Sequence, residues 1–365
     1  MTVYTWMVIL LVMSALLLRG NVKGNKKFIF AAFLILFCVM GLRNVDTCGN
    51  DSAGSHGSYP VIYNSVGQKD WSELYTAGEI DNNIGSTHLQ KLIYDLTDGD
   101  YQTYIALIEL FVVFSYMRFI RKYSPSPIQS ILYFLGLMYF NLLFDALKQA
   151  VAMAVLLFAF DAIIEKKPVK FVLLVLLAAT FHFPALIFMP AYWIGRMKIG
   201  KSYLILLAAL LIVTFIFRDK LLSIMLNAYG GDSIEGSLEG VRFLRNKTLV
   251  MIFIVATSIL LRPPTDGDTV YNACLLFAGI SIVFQTFCGY NNIFERLADY
   301  YFHTAIIMIP LVFEKCELKK HLIDINTELL VKKAAPLVFC GFAVWRFLSY
   351  VNDSQFFNGI RLLWQ

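Results

Sequence analysis

Apolar residues in this chain come in blocks, not in alternation with polar ones. Runs rich in Leu, Ile, Val, Phe and Ala fall at 3–18, 28–42, 104–120, 128–144, 149–164, 169–181, 184–195, 202–217, 248–262, 269–288, 301–316 and 334–351. Short charged stretches separate them. A bilayer core takes about 20 mostly apolar residues per helix, and blocks without a period of two exclude a transmembrane β-barrel. The pattern predicts an all-α polytopic membrane protein with about 11–12 transmembrane or re-entrant helices. Composition agrees: 58% of the 365 residues are hydrophobic and 16% charged, against about 45–50% and about 25% in soluble domains. No 20–50-residue repeat and no low-complexity linker divides the chain, so residues 1–365 read as one membrane domain.

Charge then orients the blocks. If every run crosses, the inside loops are RGNVKGNKK, RFIRKYSPSP, EKKPVK, GRMKIGK, RPPTDGD and CELKKHLIDINTELLVKK, and together with Lys315 at the edge of the last they hold 19 of the 31 lysines and arginines. That concentration in short loops is what the positive-inside rule requires. The first run, VYTWMVILLVMSALLL, is followed by its positive charges, which describes a retained helix with its N-terminus outside. The same rule reshapes residues 169–195. One straight helix would put EKKPVK and GRMKIGK on opposite sides, and two full spans need about 40 residues where only about 27 exist. A broken-helix hairpin with its tip near the outer surface resolves the conflict, and Pro184 supplies the break. Irregular backbone at membrane depth survives only inside protein or beside a wet cavity. Two long segments, 43–103 and 218–247, then become extracytoplasmic loops, the first carrying amphipathic pieces such as THLQKLIYDLT. Large outside loops and small inside ones place the chemistry outside.

The net charge of +5 is spread through loops and forms no basic groove, so no nucleic-acid partner is implied. The six cysteines, at 38, 48, 274, 288, 316 and 340, form no CxxC and no Cys/His metal spacing. Only Cys48 and Cys288 fall in or beside outside loops, where one disulfide is conceivable. No metal and no cofactor is expected: the chain has no GxGxxG after a strand and no clustered metal-ligand spacing.

Polar residues at membrane depth are functional candidates by default. Arg43, Asp46 and Asp51 lie in RNVDTCGND where the second helix leaves the membrane, although a charged flank and a turn would look the same. Asp145, Lys148 and Gln149 lie in FDALKQAVAMAVLL, and Asp145 and Lys148 are spaced to pair with each other. Lys148 nevertheless stands on the outside, against the charge rule. His182 sits at the hairpin break, where an imidazole can act as base or donor near neutral pH. Arg242, Arg245 and Lys247 crowd one helix start, as either a solvated loop or an anion site. NNIFERLADYYFH brings Glu295, Arg296, Asp299, Tyr300, Tyr301 and His303 to an outside helix mouth, where ion pairs and an interfacial aromatic belt are the structural alternative. Arginine forks match phosphate oxygens. Separate outside cations beside apolar helices point to a phosphate-bearing substrate delivered in the membrane.

At these residues the chain resembles the EpsG family of Wzy-type bacterial polysaccharide polymerases. LRNVDTCGNDSAGSHGSY, RKYS, LKQAVA, KPVKFVLLVLLAATFHFPALIFMPAYW and ERLADYYF match the family's pattern in order over about 41–305. Two departures stand out. Lys148-Gln149 replaces the family's Arg-Gln, keeping the charge and losing the fork. Gly49-Asn50-Asp51 follows an inserted-looking VDTC, so either Asp46 or Asp51 is the equivalent acid. The resemblance implies a GT-C-like membrane fold in the bacterial cytoplasmic membrane, facing outward, that joins undecaprenyl-pyrophosphate-linked oligosaccharide repeats into an O-antigen, capsule or exopolysaccharide. It implies metal-independent transfer with His182, Asp51 or Asp46 as base and Arg43, Lys148, Arg296, Arg242 and Arg245 on the pyrophosphate. Gln149, Asp299, Tyr300 and Tyr301 would position substrate. Membrane lipid, a chain-length regulator and a flippase are the implied partners. A flippase for the same lipid is the rival reading, although its expected repeated halves are not visible. A membrane O-acyltransferase would need inward-facing chemistry that the inside loops do not supply.

Overall fold

The computed structural model describes residues 2–18, 22–47, 49, 51–53, 58–76, 83–228, 246–261, 268–288, 293–315, 325–354, 357 and 360–364. Among them there is no β-strand, only one isolated antiparallel bridge between Arg43 and Leu362. The helices are α1 (Val3–Leu17), α2 (Val22–Met40), α3 (Ser58–Gly67), α4 (Trp71–Thr76), α5 (Ile84–Leu96), α6 (Tyr101–Tyr123), α7 (Pro127–Gly136), α8 (Tyr139–Asp145), α9 (Leu147–Ile164), α10 (Pro168–Phe181), α11 (Ala191–Ile194), α12 (Lys201–Ala228), α13 (Asn246–Leu260), α14 (Thr269–Gln285), α15 (Ile293–Phe302), α16 (Ala305–Lys315) and α17 (Ile325–Asp353). They fall into two compact units. Unit 1 is Met1–Leu157, Thr180–His182 and Pro336–Gln365; unit 2 is Phe158–Ala179 and Phe183–Ala335.

Among the described residues three helices are long and apolar enough to cross a membrane: Tyr101–Tyr123, Leu147–Ile164 and Lys332–Asp353. The pair α7 and α8 adds a fourth if its 64° bend belongs to one broken span. Several other apolar runs form shorter helices, such as α1 and α14 with 15 and 17 residues. At about 1.5 Å per residue these reach roughly 22–26 Å, short of a hydrocarbon core of about 30 Å. The chain is a multi-pass membrane protein. Segment 128–144, read from sequence as one span, is interrupted at Leu137–Met138, with Met138 left-handed at φ 67°. The run 202–217 in turn continues as α12 to Ala228, into the segment assigned to the second loop.

In unit 1, local chemistry starts each element. Asp100 caps α6 by accepting from the Gln102 and Thr103 N–H groups at 3.1 and 3.3 Å, after Gly99 has turned the chain at φ 83°. Pro127 opens α7 at a position whose N–H needs no partner. Segment 43–103 includes α3, α4 and α5 over a tyrosine cluster: the Tyr63 ring lies 4.9 Å from Tyr104, 5.3 Å from Tyr94 and 5.6 Å from Tyr101. Rings of α1, α8 and α17 meet edge to face, with Tyr4, Phe140 and Phe347 spaced 5.3–6.0 Å apart.

In unit 2, α10 ends at Phe181, and residues Phe183–Phe188 wind into a 3-10 helix before α11. Pro184 explains that end, since it lacks the N–H that α10 would need to continue. The 3-10 segment is held by aromatic packing. Phe188 lies 5.1 Å from Tyr301, 5.5 Å from Phe277 and 6.2 Å from Phe171, and the Tyr301 hydroxyl donates to the Ile187 carbonyl at 2.6 Å.

A close helix approach in unit 1, with backbone on both sides, joins α7 to α17. A Cβ on Gly136 would lie 2.4 Å from the Ala343 Cβ and 2.5 Å from its Cα, and the Gly136 carbonyl accepts from Arg346. Backbone cannot yield as a side chain can. Gly136→Val is therefore expected to destabilise the protein by about 1–3 kcal/mol, the cost of overpacking. Thermal unfolding of the detergent-purified variant checks this, and an unchanged midpoint would contradict the packing.

Candidate functional site

The first cluster begins at the end of α2 in unit 1. Arg43 is fully buried, and its guanidinium is surrounded by protein acceptors. Nη1 donates to the Met40 carbonyl and to Glu109 Oε1 at 3.2 Å; Nη2 donates to Ser52 Oγ at 3.1 Å and to the Phe144 carbonyl at 2.9 Å. The group also stacks 3.7 Å from the Phe144 ring centroid. Both terminal nitrogens are committed, so no fork is left for a phosphate. The structure pairs Arg43 Nη1 and Nη2 with protein groups, where the family resemblance implies a pyrophosphate contact. The cation neutralises Glu109 of α6, itself fully buried, and ties α2, α6 and α8 to the loop at Ser52.

The same loop is gripped from a second side. The Asp145 carboxylate, at the end of α8, accepts from the backbone N–H groups of Asp51 and Ser52 at 2.8 and 3.1 Å and from Ser52 Oγ at 3.2 Å. Gly49 permits the turn: its φ is 116°, and a Cβ there would meet Ser52 Oγ at 2.5 Å. Tyr101 adds a bond from its hydroxyl to the Ser52 carbonyl at 2.8 Å. One residue after Asp145 the helix direction changes, and α9 opens with Leu147 and Lys148. The Lys148 N–H donates to the Tyr59 hydroxyl at 3.4 Å, and the Tyr59 N–H donates to the Asp51 carbonyl at 3.0 Å. Asp51 and Lys148, both half-buried, are thereby joined through Tyr59 and Asp145 into one network. Asp46 is exposed, and Gln149 is buried one residue into α9 from Lys148. His182 is 4% exposed, at the break after α10. Two residues earlier Thr180 presses on α5, its Oγ1 2.3 Å from where a Gly85 Cβ would be.

The second cluster is in unit 2, on α15. Lys247, at the start of α13, donates to Glu295 Oε1 at 2.9 Å and to both oxygens of Asp299 at 2.9 and 3.1 Å. Glu295 and Asp299 are four residues apart and share a helix face, so one ammonium binds two carboxylates. Asp299 is thus an ion-pair partner of Lys247. Tyr301 is likewise redirected: its hydroxyl holds Ile187, and its ring lies among Phe188, Phe277 and Phe284. Tyr300 is fully buried, and Arg296 is half-buried. His303 is buried, with its Nδ1 3.1 Å from the Asp299 carbonyl. Arg242, Arg245 and Cys48 lie outside the described residues. Cys288 is buried and accepts from the Gln285 amide at 3.3 Å.

Sequence reasoning missed Glu109, Ser52 and the Lys247 pairing. Glu109 carried a usable signal, a carboxylate inside the apolar run YIALIELFVVF, which must find a cation. Ser52 carried none. If Arg43 and Glu109 neutralise each other, Arg43→Met alone should cost about 3–5 kcal/mol by stranding a buried carboxylate, and adding Glu109→Leu should recover most of it. Thermal midpoints of the single and double variants check this, and a double variant no more stable than the single one would contradict the pairing.

Comparison with curated proteins and with solved structures found no match for this chain. A model of the EpsG family does match, over residues 26–358. The match covers most of the chain, including both clusters, and brings with it a glycosyltransferase-like polymerase role. The chain belongs to the EpsG family, a family of Wzy-type polysaccharide polymerases.

Proposed function

We propose that the protein joins undecaprenyl-pyrophosphate-linked oligosaccharide repeat units on the outer face of the bacterial cytoplasmic membrane. The observation that carries this reading is the network in which Asp145 and Tyr59 fasten Asp51 beside Lys148 at the opening of α9. It holds the backbones of a half-buried acidic residue and a half-buried basic residue on one frame. Transfer needs both kinds of group: a base for the acceptor hydroxyl, and a cation for the departing pyrophosphate.

In the step proposed, the acceptor oxygen attacks the anomeric carbon of the growing chain. The bond from that carbon to the pyrophosphate oxygen breaks, and the hydroxyl proton passes to Asp51. Undecaprenyl pyrophosphate leaves, with Lys148 balancing its charge. His182, a few residues past the α10 face that meets α5, holds the acceptor. Its imidazole is the alternative base, and Asp46 is the alternative carboxylate. Arg43 acts through Ser52 and Asp145 as a positioning residue and makes no substrate contact. Gln149 supports the frame from a buried position.

Cells lacking the protein and complemented with variants provide the test, read as polymer length on gels. Asp51→Asn should abolish elongation, whereas His182→Ala should lower it strongly while leaving some polymer. The opposite ranking would make His182 the base. Lys148→Arg should retain at least tenfold more activity than Lys148→Ala, because charge survives; equal activity of the two would remove Lys148 from the pyrophosphate.

The outward orientation predicts that Gly200, exposed between α11 and α12 with no atom within 4 Å of an added Cβ, faces the cytoplasm. A Gly200→Cys reporter should resist an impermeant thiol reagent in intact cells without an outer-membrane barrier and react after lysis. Labelling of intact cells would reverse the topology.

A further inference from the structure

The extramembrane part of unit 1 carries an aromatic patch that the polymerase network does not use. Trp71 and Tyr75 on α4 are 41% and 62% exposed, which is unusual for rings that are also held at their edges. The Trp71 indole N–H donates to Asp95 Oδ2 at 3.1 Å, and Asp95 is fixed in turn by Lys91 at 2.5 Å. Lys91 is anchored to the Gly67 carbonyl at 3.1 Å. The Tyr75 hydroxyl meets His88 Nε2 at 2.7 Å. His88 Nδ1 must carry the hydrogen it gives to the Ile84 carbonyl at 2.7 Å, so Nε2 accepts from Tyr75. The His88 ring lies 5.7 Å from Trp71 and 5.8 Å from Tyr75, spacing the two exposed rings along one surface.

We propose that Trp71, Tyr75 and His88 form a saccharide-binding platform for the polysaccharide chain, separate from the Asp51–Lys148 network. The geometry meets three requirements of that ligand. A pyranose presents an apolar C–H face, which rings of fixed orientation receive with little loss of side-chain freedom. It also presents a rim of hydroxyls, for which the outer oxygens of Tyr75, Asp95 and Glu73 are acceptors. Finally, the surface is acidic: Asp70, Glu73, Asp95, Asp98 and Asp100 outnumber Lys69 and Lys91. An anionic lipid leaflet attracts basic surfaces, so this charge balance favours sugar over membrane as the occupant. A platform next to a polymerase keeps the chain from departing between additions, so its loss shortens the product without slowing a single transfer.

The ligand class rests on the polysaccharide role of the family, and the test separates the two. The probe is size-fractionated polysaccharide from cells carrying the protein, titrated against the full chain in nanodiscs. Wild type should bind, and Trp71→Ala with Tyr75→Ala should weaken binding at least tenfold, while Trp71→Phe stays within threefold of wild type. In cells the double alanine variant should make shorter polymer, with the rate of the first linkage within twofold of wild type. Equal binding by wild type and the double variant overturns the platform whatever the enzyme activity. Binding that follows the rings in a protein that joins no repeat units upholds the platform and sinks the polymerase reading instead. A variant whose only tryptophan is Trp71, with Trp6, Trp193, Trp345 and Trp364 changed to Phe, reports the other occupant. Strong quenching of its fluorescence by brominated lipid would show the rings seated in the membrane and overturn the proposal.

Discussion

A guanidinium cannot be buried among apolar side chains without acceptors for its hydrogens and a counter-charge. Unit 1 is organised around meeting that demand for Arg43. Glu109 supplies the charge from α6, Phe144 a carbonyl and a ring face from α8, and Ser52 a hydroxyl from the loop. Each acceptor comes from a different stretch of chain, so satisfying one side chain fixes the relative places of all of them. The C-terminal residues add to the same region, with the Asn44 N–H donating to the Arg361 carbonyl and Leu363 to Leu42 at 2.8 and 3.1 Å. Asp145 then uses the fixed loop, drawing the N–H groups of Asp51 and Ser52 onto one carboxylate oxygen. The arrangement turns a sharp glycine turn into a rigid support for Asp51. Preorganised support of this kind is what a group that must act on a bound hydroxyl needs.

Unit 2 solves a similar problem at two places. The break after α10 leaves a short 3-10 segment that cannot continue the α-helix, and aromatic packing with the Tyr301 hydroxyl covers it. On α15, two carboxylates on one helix face would repel each other, and Lys247 resolves this by bonding to both. The Glu-Arg pair of the family's sequence pattern therefore has divided duties. Glu295 faces the lysine, while Arg296 is turned by one helical step and remains half-buried.

The helices were legible where apolar length alone decides. YIALIELFVVFSYM and LKQAVAMAVLLFAF became α6 and α9 because nothing inside them opposes a helix. The end of α10 was legible because Pro184 forbids continuation. The kink in 128–144 was not: Met138 adopts a left-handed backbone that its residue type does not announce, two residues past the long-range packing of Gly136 on α17. Site residues followed the same division. Arg43, Asp145 and Lys148 stood out by charge, but their duties depended on partners many positions away. Arg43 and Glu109 are separated by 66 residues, and Asp145 and Asp51 by 94. Spacing rules reach one or two helical turns, so a sequence can nominate a charged residue while leaving its partner unseen. The Trp71 and His88 platform was hidden for the same reason, since it forms only when α4 and α5 come together.

The central claim is that this membrane protein forms glycosidic bonds at the expense of a lipid pyrophosphate. Purified protein in liposomes, supplied with a lipid-linked oligosaccharide repeat unit and nothing else, addresses it directly. The account predicts a ladder of glycans growing by whole repeat units, with undecaprenyl pyrophosphate released at each addition. Movement of the lipid-linked unit across the bilayer with no lengthening of the glycan would contradict it.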